Sequence, residues 1–427
     1  MKKITAILIG AGDRGLNAYA QYSINNPGVI EFIAVAEKNK ERREYFKKLY
    51  NISDDMVFET WDGIFKREKF ADAVFICTNE NYHYEPTILA MQKGYNILLE
   101  KPITQLPHTS VEIGDLAEKY DKVFILGYVL RYTPFFSEIK KVLSEGRIGQ
   151  IKTIVHSEHI GIAHYAHSFV RGVFSKEENA GPIILSKCCH DMDILNWLID
   201  SKCIQLSSFA TPTYFNEKNA PEGAPTRCTD GCPISDNCYF YAPRLYSAPR
   251  SGFNVDTISL DTTPMGKMQA LKDGPFGRCV FKCDNNVVDT QVVNMEYENG
   301  VNVSFSMTAY TEECYRTIHI TGTKGELEGN LETNKFTIKD FNSGKLDIVN
   351  VSTVSDRHSG GDYYLMTDFI KLVREGNLSG RTSVRDAVDS HVMCFAAEKS
   401  RKEGKIIKIE EYKKELRKII KNNYHQS

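Results

Sequence analysis

The sequence predicts an α/β protein whose amino-terminal part is a doubly wound parallel sheet and whose later part is rich in antiparallel strands. Three observations carry this. Six short apolar runs in the first 128 residues alternate with helix-like stretches, the rhythm of parallel strands joined by crossover helices and covered on two faces. The first run ends in Gly10-Ala11-Gly12-Asp13-Arg14-Gly15, a turn that leads from a strand into a helix. Beyond residue 285 the runs alternate apolar and polar residues, the period of a sheet with one covered face.

Taken in order, residues 4 to 9 form the first strand and a helix follows to about Asn26. Ile30 to Ala36 form the second strand, which ends at Glu37 and precedes a charged helix over residues 39 to 50. Met56-Val57-Phe58 forms a short third strand and Ala73 to Cys77 the fourth. A helix from about Tyr82 to Lys93 leads to the fifth strand, Asn96 to Leu99. A helix over residues 109 to 119 and the run Val123 to Leu126 complete the set. Right-handed crossovers make this a nucleotide-binding topology. Asp289 to Tyr297 and Val301 to Tyr310 flank Glu298-Asn299-Gly300 as a hairpin. Short strands follow at Arg316 to Thr321 and Lys335 to Asp340, then a helix with Asp362 as N-cap. His358 ahead of it reads as a solvated loop histidine, and the basic stretch Lys413 to Lys421 as a solvated helix face.

Composition narrows the function. With 53 Lys and Arg against 55 Asp and Glu, the net charge of -2 lacks the basic surplus that nucleic-acid or anionic-membrane binding needs. No stretch approaches the roughly 20 apolar residues that cross a bilayer. The apolar run after Lys2 and Lys3 stops at Gly10, too soon for an export signal, so a cytoplasmic location is expected. Eleven cysteines cannot all pair within the chain and are expected as thiols or metal ligands.

Each glycine of the turn has a physical task. Gly10 permits the tight turn out of the strand, Gly12 lets the backbone approach a pyrophosphate, and Gly15 lets the helix pack against the strand. The free N–H groups of the helix start, including those of Asp13 and Arg14, face the phosphates. Glu37 at the end of the second strand accepts hydrogen bonds from the adenosine ribose and repels a 2'-phosphate. NAD is therefore the expected cofactor, and Lys38 beside Glu37 keeps NADP open.

Cys77-Thr78-Asn79-Glu80-Asn81-Tyr82-His83, followed by Gly94 to Leu99 and Glu100-Lys101-Pro102, resembles the signature of the glucose-fructose oxidoreductase / inositol dehydrogenase / rhizopine catabolism (Gfo/Idh/MocA) family. The resemblance implies a Rossmann domain over residues 1–128. It also implies a substrate-binding and oligomerisation domain over 129–427, built on a large, mostly antiparallel sheet. It further implies a pyridine nucleotide, a sugar or polyol substrate, and dimers or tetramers formed through the open face of that sheet. Thr78, Asn79, His83, Glu100 and Lys101 are then expected at the cofactor. Lys101, at the carboxyl end of a parallel strand, faces the crevice where ligands bind in such folds.

Many relatives carry an Asp four residues ahead of a catalytic His. Here His190 matches the histidine, Ser186 stands in place of the Asp, and Lys187 and Asp191 add charge. On a helix, Ser186 and Lys187 would share a face with His190. Histidine can take the hydroxyl proton as a hydride leaves, so His190 is the expected base, with Lys101 and Lys187 as alternatives. Lys187 is expected to depress the histidine pKa. Tyr128 and Arg131, in the crossing into the second domain, and Asp191 are expected to contact substrate. His164, His167 and Arg171 are expected on a loop over the sugar. His156 and His159 fall on opposite faces of a strand, which is poor chelating geometry.

An insertion at about 216–285 is rich in Pro, Gly, Asn and Asp and is expected to be mostly loop. Cys228, Cys232, Cys238, Cys279 and Cys283 lie in it, and four of them (Cys228, Cys232, Cys238 and Cys283) are candidates for a structural zinc or iron–sulfur site. The expected function is NAD(P)-dependent hydride transfer at a sugar, polyol or glycoside hydroxyl. Glycoside cleavage through transient oxidation and elimination, and a non-catalytic nucleotide-sensing role, are the alternatives.

Overall fold

A computed structural model describes residues 3–248, 255–259, 261–353 and 358–424. The first sheet contains β1 (Ile4–Ile9), β2 (Ile30–Ala36), β3 (Val57–Phe58), β4 (Ala73–Ile76), β5 (Asn96–Leu99) and β6 (Phe124–Leu126). All neighbours are parallel, in the order β3-β2-β1-β4-β5-β6. The strand order reverses between β1 and β4, which opens a crevice at their carboxyl ends. Asn39 caps the helix Lys40–Tyr50 by accepting from the Arg42 N–H.

The second sheet contains β7 (Ile151–Gly161), β8 (Cys203–Thr211), β9 (Thr290–Tyr297), β10 (Asn302–Thr311), β11 (Tyr315–Gly322), β12 (Gly325–Asn330), β13 (Lys335–Asp340), β14 (Leu346–Asn350) and β15 (Ile407–Lys408). Its order is β14-β13-β12-β11-β7-β10-β9-β8-β15, antiparallel except for the β7–β10 pair. The expected β9–β10 hairpin is present. Along β7, Ile154, His156, Glu158 and Ile160 face the core, while Val155 is exposed on the open face. His159, on that open side, stacks on Tyr315.

The end of the chain returns to the first sheet. Leu126 N–H donates to the Thr382 carbonyl, and Ile125 bridges Ser383. The helix Gly361–Glu375 covers one face of the sheet, where Phe369 meets Phe75 of β4. On the helix Pro107–Ala117, a Cβ at Gly114 would lie 2.3 Å from Val388 of the helix Val384–Glu403. Asp362 is not an N-cap: Gly360, at φ 91°, takes that position, and the Asp362 carboxylate turns to Arg14 and His358.

The insertion is mostly turn and loop among its described residues, as expected, but it is packed. It includes the ten-residue helix Pro264–Asp273, capped by Thr263, and Cys228, Ala242, Leu245, Tyr246 and Leu271 form a small core of their own. The segment before it is helical too, over Ile162–Tyr165 and Ala166–Arg171, so His164, His167 and Arg171 are not loop residues. Half-buried His164 packs near Phe169. His167 bonds the Tyr246 hydroxyl and stacks on Phe276. Arg171 is fully buried and donates to the Arg278 and Phe240 carbonyls at 2.7 Å each. His167 and Arg171 thus brace the insertion instead of lying over a sugar. The cysteines are free thiols, and among the described residues no group of three or more His, Cys, Asp or Glu is placed to hold a metal ion. The expected zinc or iron–sulfur site at Cys228, Cys232, Cys238 and Cys283 thus finds no support among the described residues, and a charged brace and an aromatic cluster at Phe215, Phe240 and Phe281 pack the segment. Arg171→Met should remove two charge-assisted bonds from partly buried carbonyls, costing about 3 kcal/mol. Limited proteolysis should then cut the insertion first.

Candidate active site

The site begins at the glycine turn. Gly10 has φ 92°, and a Cβ there would sit 2.6 Å from the Cys77 carbonyl oxygen. A Cβ on Gly15 would meet the Gly10 oxygen at 2.2 Å, so the helix starting at Arg14 packs directly on the turn. Gly12 has open space on its Cβ side, the approach a pyrophosphate needs. Glu37 reaches over the turn: its carboxylate accepts from Ala11 N–H at 2.7 Å and Asn39 N–H at 2.8 Å. Exposed Asn79 and half-buried Thr78 follow β4 at the rim, and the Asp13 carboxylate accepts from Asn17. These residues fit a dinucleotide.

Arg14 and Glu100 have a different task from the one expected. Glu100 is buried; one carboxylate oxygen accepts from Arg14 and the Tyr19 hydroxyl at 2.6 Å each, the other from the Lys101 N–H at 2.8 Å. Burial pushes its pKa up, but Arg14 and Lys101 outweigh this and hold the carboxyl below its ordinary range. Arg14 also grips Asp362, at 2.7 and 3.1 Å. His358, 2.9 Å from Asp362 and 3.3 Å from Arg14, belongs to this group and is not a solvated loop residue. Arg14 and Glu100 are therefore a brace under the turn.

Lys101 leaves β5 beside this brace, and its peptide bond to Pro102 is cis. Its Nζ donates to the Ser186 carbonyl oxygen at 2.6 Å. Ser186 ends the short helix Ile183–Ser186, and a new helix, Cys189–Ile199, begins after Cys188. Ser186, Lys187 and His190 therefore do not share one helical face, because Lys187 and Cys188 break the helix. His190 opens the second helix, with its ring 5.6 Å from that of Tyr128. Burial comes first, followed by the positive charges of Lys101, Arg316, His358 and Lys187, in driving its pKa well below the ordinary value. The depressing effect expected of Lys187 is present, though it is the smallest of these. Nδ1 of His190 is buried with no hydrogen-bond partner among the described residues.

Behind His190, Lys187 and Asp191 belong to a buried charge cluster with Glu158 and Arg316, two residues not singled out from the sequence. Arg316 of β11 stands opposite Glu158 of β7 and approaches it to 2.7 Å. Lys187 meets the other oxygen of Glu158 at 3.3 Å. Burial raises the Glu158 pKa despite both cations. Asp191 is fully buried and accepts from Arg316 and His156 at 2.8 Å each. Burial pushes its pKa up, but Arg316 and His156 hold it down to about 2. Asp191 is thus turned into the cluster, its carboxylate taken up by Arg316 and His156. The sequence does carry a signal for Glu158 and Arg316, since each falls at a core-facing position of a strand, where an unpaired charge is costly.

Three other expected contacts turn inward. Arg131 is buried and bidentate on Asp193, at 2.6 and 2.7 Å, and donates to the Arg381 carbonyl. Tyr128 is fully buried, with its hydroxyl on Ser390 and His391. His83 is buried against the Pro102 and Thr78 carbonyls at 2.8 and 3.0 Å, behind the crevice.

The unfolded chain takes a histidine proton near pH 6.5, whereas folded His190 resists it. Its contribution to stability is thus present above about pH 6.5 and falls away as the pH drops below that value. An NMR titration should find the His190 midpoint well below 6.5. Stability measured across pH 7 to 5 should fall less steeply in His190→Gln than in the parent.

Residues 4–128 match the family described as "Oxidoreductase family, NAD-binding Rossmann fold", and residues 140–409 its "C-terminal alpha/beta domain". The YteT protein of Bacillus subtilis is 24% identical over 264 residues, 61% of this chain and 60% of that protein. D-glucoside 3-dehydrogenase of Escherichia coli is 24% identical over 42% of this chain and 49% of its own length. Inositol 2-dehydrogenase of Corynebacterium glutamicum is 25% identical over 32% of this chain and 37% of its own. The matches thus span between about a third and three fifths of these relatives. Among solved structures, levoglucosan dehydrogenase with NADH and levoglucosan superposes with a TM-score of 0.71 at 17% identity, covering 95% of this chain and 99% of that one. Myo-inositol 2-dehydrogenase of Lactobacillus plantarum gives 0.65 at 19% identity, covering 95% and 99%. The glycine turn, the Glu100-Lys101-Pro102 strand end and both profile matches make this chain a member of the Gfo/Idh/MocA oxidoreductase family.

Proposed function

We propose that the protein is an NAD(H)-dependent oxidoreductase that moves a hydride between the nicotinamide and a hydroxyl-bearing carbon of a sugar or polyol. The observation that carries this reading is the meeting of Lys101, at the end of β5, with the carbonyl of Ser186, four residues before His190. Relatives named as dehydrogenases of inositol and D-glucoside support the substrate class. A dinucleotide bound along the glycine turn supplies the hydride acceptor. Neutral His190 takes the hydroxyl proton as the C–H hydride departs, leaving a carbonyl. The Lys101 ammonium donates to the oxygen on which negative charge builds. Glu37, seated over the turn, favours NAD over NADP.

A panel of sugars, polyols and glycosides with NAD and with NADP should give stoichiometric NADH from at least one hydroxyl substrate. Lys101→Ala should lower kcat/KM by about 100-fold or more. Sugar release from glycosides without net NADH would replace dehydrogenation with redox-assisted cleavage, and NADH binding without turnover of any of these would leave a sensing role.

Val155, Phe209, Val292 and Tyr310 are exposed on strands of the second sheet. We propose that copies of the chain associate through the open face of this sheet. Val155→Lys should shift the sedimentation coefficient to that of a monomer.

A further inference from the structure

We propose that His391 is a positioning residue for Lys101, acting by gripping the peptide group between Pro102 and Ile103, one residue beyond the lysine. This rests on the functional reading above, in which Lys101 meets the substrate oxygen.

The Pro102–Ile103 peptide group is held at both ends by histidines. Its N–H, on Ile103, donates to Nε2 of His391 at 2.8 Å. Its carbonyl, on Pro102, faces Nδ1 of His83 at 2.8 Å. His83 lies just after β4, whereas His391 lies on the helix Val384–Glu403, 288 residues from Ile103. Two carriers of opposite polarity thus fix one peptide plane. Lys101, joined to this group through Pro102, has its far end on the Ser186 carbonyl.

Hydrogen-bond directions identify the state of His391. A backbone N–H can only donate, so Nε2 must present its lone pair and the proton sits on Nδ1. That Nδ1–H faces the Tyr128 hydroxyl at 2.9 Å and the Ala387 carbonyl at 3.0 Å. The Tyr128 hydroxyl in turn meets Ser390 at 2.8 Å, and Ser390 donates to Ala387 at 2.7 Å. Every polar atom of this chain is satisfied only if His391 is neutral. Burial, opposed by the Ala387 hydrogen bond and reinforced by Lys101 and His83, holds its pKa down to about 4. The imidazole therefore stays an acceptor toward Ile103 through neutral pH. An aiming device of this kind holds a reactive group within fractions of an ångström, and misplacement by about 1 Å can cost about 100-fold in rate.

His391→Gln keeps an acceptor oxygen that can reach the Ile103 N–H, and His391→Leu keeps bulk without one. Both are assayed with the best substrate from the panel, beside NADH binding by fluorescence. His391→Leu is expected to lose about 100-fold in kcat, with KM and NADH affinity within about threefold of the parent, and His391→Gln to recover to within about tenfold. Full activity in His391→Leu, or equal losses in both variants, overturns the proposal. Nitrogen-15 spectra of the unaltered protein provide a readout independent of turnover and of variant folding. They should show His391 as the neutral Nδ1–H tautomer from pH 6 to 8, and an Nε2–H or cationic ring overturns the clamp. If the unaltered protein oxidises no sugar or polyol, the functional reading fails while the tautomer still judges the clamp.

Discussion

The buried carboxylate of Glu100 is the constraint on which the site depends. It sits where the glycine turn, the first crossover helix and the end of β5 converge, and it bonds all three through Arg14, Tyr19 and the Lys101 amide. An ionised carboxylate in such a place is tolerable only with full pairing, and the pairing ties the cofactor turn to the lysine. Asp362 extends the knot to a helix from the end of the chain. Arg14 thus carries charge balance for two acidic groups from opposite ends of the sequence.

The second theme is compensation for a missing acid. Where the family resemblance implies an Asp, Ser186 offers a backbone carbonyl to Lys101, and the acidic groups nearby lie deeper, as Glu158 and Asp191. Arg316 pairs with both and Lys187 with Glu158, so their charge is largely balanced before it reaches the crevice. The field at His190 is consequently positive, and with burial it keeps the imidazole neutral. A neutral base beside an ammonium is a workable pair for removing a hydroxyl proton and holding the resulting oxyanion.

Much of this frame was legible in the chain. The six parallel strands, the β9–β10 hairpin and the lysine at a strand end follow from periodicity and punctuation, which are local properties. What escaped was orientation. Tyr128, Arg131 and Asp191 lie close in sequence to crevice residues yet turn into the interior, because their partners Ser390, Asp193 and Arg316 lie on elements whose placement only the topology reveals. The segment with His167 and Arg171 looked like a loop beside a polar insertion. It is helical because the insertion supplies aromatic and carbonyl partners to bury it. Strand parity at Glu158 and Arg316 was the one available clue to the charge cluster, since a charge on the covered face of a sheet needs a partner.

The return of the chain to β6 and to Ile103 also bears on how such proteins can diverge. Because Thr382, Asp362 and His391 all close onto the first 128 residues, the nucleotide-binding portion is not a freely exchangeable cassette. Recombination at the natural boundary would join a lysine-bearing half to a foreign tail lacking the matching acid and imidazole. The tail and the nucleotide-binding portion are therefore mutually dependent for the placement of Arg14 and of the peptide group beyond Lys101.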